Sequence, residues 1–271
     1  IKVTKSSNIY IPNNEVEKTF IKCIWRLSEY DIQERKEIIL PKGTVEIIFN
    51  FSDKINYFSP SYKIEKSLPD VFVNGINFKP FELTKTKQQK FLGVQLNSIG
   101  LRLLFKIPSF ELNNIVCDGN DICKQLSNLA NDLNGEEEFS QQVKIILSWI
   151  RNTVSFNQIK YATSRAEKLT SCICYNNLTV KKLSKEIGLS ERQLSRFSND
   201  WLGMSTEQFI HYRKYLNCLN LLHQSKQNLT ALGMQAGYYD QSHFIHQFKS
   251  FTDMTPRQYR EAKTDLPGHI Y

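Results

Sequence analysis

The stretch GYYDQSHFIHQF, residues 237–248, sets His243 and His246 three positions apart among Asp240, Gln241, Ser242, Gln247 and aromatic rings. On a helix that spacing puts both imidazoles on neighbouring positions of one face, where they could hold a metal ion or share a proton. Amides, hydroxyls and imidazoles in such a row could equally read the edges of base pairs. A metal site needs three or four ligands, and no third is identifiable nearby. All five histidines (His211, His223, His243, His246, His269) follow residue 161, in a part that reads as helical, so the first half offers no histidine to a metal. No GxSxG, GxGxxG, HExxH or phosphate-loop pattern occurs. The six cysteines, Cys23, Cys117, Cys123, Cys172, Cys174 and Cys218, form no CxxC pair, against a zinc ribbon or thioredoxin-type site. The expectation is a protein that is not an enzyme and carries no metal or other cofactor. A metal-dependent enzyme stays open as an alternative.

The elements that position these residues fall into two groups. With 271 residues, 41% hydrophobic and 23% charged, the chain has the composition of an ordinary globular protein and length enough for two domains. Its net charge of +8 is uneven. Residues 1–156 hold 20 basic against 18 acidic side chains, and residues 157–271 hold 15 against 9, so the basic character lies in the shorter C-terminal piece. Such an excess favours a polyanion as partner. No apolar run reaches the roughly 20 residues that span a bilayer, and no secretory signal pattern opens the chain. The expected setting is therefore the cytoplasm, without membrane contact. The first residue is Ile1 and not Met, so N-terminal residues are expected to precede it.

The first hundred residues alternate short apolar runs (FIKCIWRL, VEIIFNF, VFVNGINF, KFLGVQL) with Gly, Pro, Asn and Asp, which predicts a β-rich sandwich or barrel-like domain. From Ser98 the period becomes helical: one short segment ends at Pro108, and a longer one carries Phe139, Val143, Ile146, Leu147 and Ile150 as an apolar stripe. That stripe could close the first domain's core or meet a second copy, with core packing preferred. The aromatic residues Phe49, Phe51, Tyr57, Phe58, Tyr62, Phe72, Phe78 and Phe81 could line a pocket or fill a core. The fold class is α+β, with domains at 1–155 (β-rich, with C-terminal helices) and 156–271 (all helical).

The helical part contains a repeat. IGLSERQLSRFSNDWLGMSTEQF (187–209) matches AGYYDQSHFIHQFKSFTDMTPRQY (236–259) at an offset of about 50, with Leu194 answering to Phe244, Trp201 to Phe251, Met204 to Met254, Ser205 to Thr255 and Phe209 to Tyr259. In the first copy Thr179 reads as an N-cap, Gly188 as the turn, and Ser190 with Gln193 as a capping box. In the second, Thr230 reads as the cap, Gly237 as the turn and Asp240 as the cap of the last stretch. Helix, glycine turn, helix is the helix-turn-helix unit, whose second helix enters the major groove. Between the copies, Phe209, Tyr212, Leu216, Leu219 and Leu222 mark one long helix. It could hold two reading helices about 34 Å apart, one turn of DNA.

On these residues, 160–262 resemble the DNA-binding domain of the AraC/XylS family of bacterial transcriptional regulators, and GYYDQSHFIHQFKSFTDMTPRQYR is similar to the family signature almost residue for residue. More loosely, ILPKGTVEIIFNFSD resembles the poorly characterised β-rich N-terminal domain of some members. The resemblance implies a sequence-specific DNA-binding transcription factor, an activator in contact with RNA polymerase. Its N-terminal domain would sense a small-molecule effector or form a homodimer. The alternative in another class is a helical protein-interaction adaptor that has kept the fold without DNA binding.

By motif position, Arg192, Ser195 and Arg196 of the first unit and Gln241, Ser242, Ile245 and His246 of the second are the base-reading candidates. Arginine pairs with guanine, glutamine with adenine, and isoleucine packs on a thymine methyl. Lys181, Lys182, Lys185, Arg213, Lys249, Arg257 and Arg260 form the phosphate-contact pool, and each could instead be a solvated surface charge. Two positions depart from the family pattern: His246 stands where arginine is frequent, and Ser198 where an aromatic core residue is usual, with Phe197 able to compensate.

Overall fold

A computed structural model of the chain describes residues 4–97, 100–154, 164–170 and 178–271. The N-terminal part is built on strands β1 (Thr4–Tyr10), β2 (Ile21–Ile39), β3 (Val45–Asn50), β4 (Asn56–Ser59), β5 (Ile64–Ser67), β6 (Val71–Asn74), β7 (Phe81–Leu96) and β8 (Val116–Asp118). With β9 (His269–Ile270) they form one antiparallel sheet in the order β1-β2-β7-β3-β6-β8; β4 pairs with β5 and β7, and β9 with β2. The ladder between the 19-residue β2 and the 16-residue β7 shifts register between Glu29 and Ile32 and again before Arg35. Extra residues of this kind bend a strand, and here they let the sheet curl into a barrel-like wall.

Strand alternation sorts the side chains onto two faces. Val45, Ile47 and Phe49 of β3 and Leu92, Val94 and Leu96 of β7 belong to the main apolar core. Their neighbours Glu46, Ile48, Phe91 and Gln95 line the other side, a cavity of about 860 Å³. Trp25 reaches across that inner face over Gly93, where a Cβ would come within 2.1 Å of the indole. Only glycine lets the ring lie so close to the strand.

The main core is closed by α1 (Glu15–Phe20), α2 (Gly100–Phe105), a 3-10 turn (Ser109–Leu112), α3 (Gly119–Ile122), α4 (Gln125–Asn134) and α5 (Phe139–Thr153). Val143, Ile146, Leu147 and Ile150 are buried and Phe139 packs beside them, so the α5 stripe is core. Of the eight aromatic residues, Phe72 and Phe81 line the cavity, Phe49 and Tyr57 are buried, and Phe58 and Tyr62 are exposed. Phe78 meets Tyr212 edge-on.

The C-terminal part comprises α6 (residues 164–170), α7 (Val180–Ile187), α8 (Glu191–Leu202), α9 (Thr206–Gln224), α10 (Leu229–Gln235), α11 (Gln241–Thr252) and α12 (Pro256–Ala262). Its caps follow the repeat. Thr179 accepts from the Lys182 amide, Ser190 and Gln193 form the expected capping box, and Asp240 accepts from the His243 amide. Ser205 and Thr255, a repeat pair, each open the next helix with a capping box of their own. Gly188 and Gly203 end α7 and α8 in the left-handed region, while Asp253 takes that conformation at the end of α11. Aspartate is among the few side chains that tolerate it.

Two expectations need correction. The cap of α10 is Asn228, whose side chain accepts from the Thr230 amide; Thr230 itself lies inside the helix. An asparagine one residue ahead of Leu229 captures the first free amides before the threonine can. His269, expected in the helical part, lies instead on β9 against β2 and bonds to Glu37 of the sheet. The N-terminal sheet therefore does hold a histidine, although no group of three metal-binding side chains occurs among the described residues.

The expected boundary at 155/156 and the residues Cys172 and Cys174 lie outside the described residues. Cys23, Cys117, Cys123 and Cys218 are free thiols. One apolar cluster runs from Phe20 and Val94 in the first part to Leu194, Phe244 and Tyr259 in the second, so the two parts share a core. Among the described residues no helix is long and apolar enough to cross a membrane.

Candidate nucleic-acid interface

Each helix-turn-helix unit is held from behind so that its second helix presents a polar front. In α8, Leu194 is fully buried and Trp201 nearly so, which turns Arg192 and Arg196, one helical turn apart, to solvent. Ser195, between them in sequence, is half-buried. In α11, Phe244 and Phe248 are fully buried, Gln241, Ser242 and His246 are exposed, and Ile245 is half-buried. The reading candidates of each unit thus share one helix face, opposite the apolar anchors.

The departure at Ser198 is resolved by a hydrogen bond. Its Oγ lies 3.0 Å from Thr206 Oγ1, both residues being buried. In the second unit the equivalent positions are Phe248 and Pro256, and Phe248 packs against Tyr215 and Tyr259. The first unit thus has a small satisfied polar pair where the second has apolar volume. Phe197 stacks on Trp201 at 5.8 Å.

Gln241 is tied in place: Thr230 Oγ1 donates to its Oε1 at 3.1 Å, leaving the amide NH2 side as the group pointed away. The first histidine of the opening stretch, His243, is half-buried and lies edge-on to Tyr238, 5.6 Å between ring centres, whereas His246 is exposed. Tyr239, next to the cap of α11, is 91% exposed. Sequence reasoning passes over it because an aromatic beside a turn ordinarily signals core.

The phosphate-contact pool divides by placement. Lys181, Lys182, Lys185 and Lys249 are exposed. Arg257 is exposed but pairs with Glu261 at 3.0 Å. Arg213 is half-buried over the Phe209 ring, and Arg260 is half-buried with Nε and Nη2 out of solvent.

Both units are anchored to the sheet domain. Tyr212 of α9 donates its hydroxyl to the Asn77 carbonyl at 2.8 Å and accepts from the Gly43 amide at 3.0 Å. Tyr215 donates to the Pro41 carbonyl at 2.9 Å. Arg102 of α2 pairs with Asp200 of α8 at 2.5 Å, and Ser109 donates to the Trp201 carbonyl at 2.9 Å. Lys79 pairs with Asp253 at the end of α11 at 2.9 Å.

Known proteins share this geometry. A family described as Helix-turn-helix domain matches residues 183–262, from within α7 through α12. Both units described above fall within the matched helix-turn-helix domain. A second family, Domain of unknown function (DUF6597), matches residues 9–118, from β1 through β8. An "Uncharacterized HTH-type transcriptional regulator" of Haemophilus influenzae is 28% identical over 87 residues, 32% of this chain and 29% of that protein. A regulator of the same description from Staphylococcus aureus, SAS0078, is 29% identical over 86 residues, 32% of this chain and 12% of its own length. The match thus spans under a third of each relative. Over 97% of this chain and 99% of its own, ToxT from Vibrio cholerae O395 shares the fold at a TM-score of 0.50 and 14% identity. The fold as a whole, sheet part and helical part together, therefore recurs in a solved protein.

Proposed function

We propose that the protein is a sequence-specific DNA-binding regulator of bacterial transcription, in which α8 and α11 read two successive major-groove segments. The observation that carries this reading is the pair of reading faces. Arg192 and Arg196 on one helix, and Gln241, Ser242, Ile245 and His246 on the other, lie opposite buried anchors in two copies of one unit. Arg192 and Arg196 take guanine O6 and N7, Gln241 takes adenine, Ile245 packs on a thymine methyl, and Ser195, Ser242 and His246 add single hydrogen bonds. Lys181, Lys182, Lys185, Arg213, Lys249, Arg257 and Arg260 serve phosphates, with the four exposed lysines contributing most.

The N-terminal domain modulates this activity in response to a small-molecule effector, and the bonds from Tyr212 and Tyr215 to the sheet loops carry the signal to α9. In this reading the protein works in the cytoplasm as an activator that contacts RNA polymerase, singly or as a homodimer. The domains divide near residue 155.

Selection of bound sequences from random duplex DNA, followed by footprinting, tests the proposal. A protected stretch covering two major-groove segments about 10 base pairs apart is the expected outcome for one copy, and twice that length for a dimer. Absence of both specific and low-salt nonspecific binding would overturn it.

A further inference from the structure

We propose that the cavity inside the N-terminal sheet binds an uncharged amphiphile, a small molecule with an apolar body and a neutral hydrogen-bonding end. The proposal rests on the reading of this domain as the sensing part of a regulator, and it names the class of effector. The first observation is the wall. Ile39, Ile55, Leu68, Phe72, Phe81 and Phe91 form an apolar cluster distinct from the main core, and all six line the cavity of about 860 Å³. Apolar side chains facing such a volume have no packing neighbour on one side, and the apolar body of a ligand would supply one. The volume suits a drug-sized molecule.

The second observation is the charge at the polar end. Glu37 forms a salt bridge with Lys85 and bonds to His269 Nδ1 at 2.6 Å. Lys42 lies 3.2 Å from His269 Nε2 and 3.7 Å from Glu46, which also accepts from Gln95 at 3.0 Å. An ammonium can only donate, so Nε2 accepts, Nδ1 carries the proton and His269 is neutral. Two lysines then face two carboxylates across a neutral imidazole. The Arg26 guanidinium is turned away, held by Asn8 and the Glu137 carbonyl, and Arg35 is paired with Glu29. Lys22 is exposed at the rim. A ligand with net charge would enter a site already balanced and leave one buried charge without a partner. A neutral polar end can instead hydrogen-bond to Thr44 and Asn74, buried on the same lining. Leu216 and Leu219 of α9 also line the cavity, so the occupant touches the helix that joins the two reading units.

The test uses the full chain without DNA, so loss of DNA binding and loss of ligand binding are read separately. N-phenyl-1-naphthylamine, an uncharged fluorescent probe, is titrated and then displaced by decan-1-ol, decanoate or decylammonium. Saturable binding of about one probe per chain is expected, with the alcohol displacing it at least about tenfold better than either ion, a difference of about 1.4 kcal/mol. No saturable binding, or equal displacement by an ion, overturns the proposal. Leu68→Trp, checked for native fold by circular dichroism, should weaken probe binding by filling the cavity. Trp25→Phe should cut energy transfer from tryptophan to each bound probe. Unchanged transfer in that variant, or unchanged affinity in a folded Leu68→Trp, places the probe elsewhere and overturns the assignment.

Discussion

The two helix-turn-helix units are copies in backbone and capping but opposites in chemistry. The first puts two arginines on its reading face and seals its interior with the Ser198–Thr206 hydroxyl pair. The second presents amide, hydroxyl and imidazole, and fills the equivalent interior with Phe248 against Tyr215 and Tyr259. Both units meet the same backbone requirements, namely an N-cap, a glycine turn and apolar anchors, while their solvent fronts differ. On the proposed function, this comparison assigns charge-dependent affinity to the first unit and uncharged discrimination to the second.

The largest effect comes from removing the charge. Arg192→Ala with Arg196→Ala should cost about 1 to 3 kcal/mol for each bidentate arginine–guanine pair that is broken, and should reduce the salt slope of binding by about 2 if both also neutralise phosphate charge. The opposite change, His246→Arg, should steepen the slope by about 1 and shift preference in the second half-site toward guanine. Electrophoretic mobility titrations over a range of salt concentrations read both. Equal losses from alanine at Arg192 and at Gln241, with no difference in slope, would erase the distinction between the units.

Next comes the interior. Ser198→Ala leaves the Thr206 hydroxyl buried without its partner and should destabilise the protein by about 1 to 3 kcal/mol. Adding Thr206→Val should recover much of that loss, since both polar groups are then gone. Denaturant midpoints of the single and double variants decide it; additive losses would show that the two hydroxyls are not coupled.

The units also differ in how they are moored. The first rests on α2 and the 3-10 turn through Arg102 and Ser109; the second is followed by the chain that returns through β9 to β2. Burial pushes the Glu37 carboxyl up, but His269 and Lys85 outweigh it and hold it at about 2, below its ordinary 4.5. Burial, with the Lys42 ammonium, pushes the His269 imidazole down from 6.5. Both folded-state values are lowered, so the unfolded chain binds more protons on acidification. Their contribution is complete above about pH 6.5, starts to fall there as the unfolded chain's imidazole takes up its proton, and falls further below about 4.5, where the unfolded carboxyl does the same. Amide protection factors, which correct for the intrinsic slowing of exchange in acid, should therefore fall between pH 7 and 5 more in α12 than in α8, and His269→Gln should flatten that step. An equal fall in both helices would remove the distinction.

The local devices are readable because they depend on neighbours in sequence. Thr179, Ser190 and Asp240 sit one residue before the helix each begins, and the repeat pairs Leu194/Phe244 and Ser205/Thr255 keep their roles. Long-range partners are not. Tyr215 looks like any helical tyrosine until Pro41, 174 positions away, accepts its hydroxyl bond. His269 reads as part of a helical region because β9 is two residues long and has no periodicity of its own; its place is set by Glu37, 232 positions earlier. The cavity is half legible. Alternation in β3 and β7 marks two faces, but nothing local says that one of them meets empty space.

The smallest expected effect sharpens the comparison most. Thr230, a cap by sequence but not in the fold, holds Gln241 Oε1 across the turn from α10 to α11. The bond is exposed, so removing it costs little stability. What it fixes is the amide's orientation, and an amide free to flip presents donor and acceptor in either order to an adenine edge. Thr230→Val should therefore leave the melting temperature and the salt slope unchanged while lowering discrimination at one base pair by about 0.5 to 1.5 kcal/mol, within the range of a single net hydrogen bond. Among the described residues the arginines of the first unit have no such tether, and they need none, since the guanidinium fork offers donors on every edge. If Thr230→Val changes overall affinity equally for every sequence, Gln241 contacts the backbone and not a base, and the second unit positions the protein without reading.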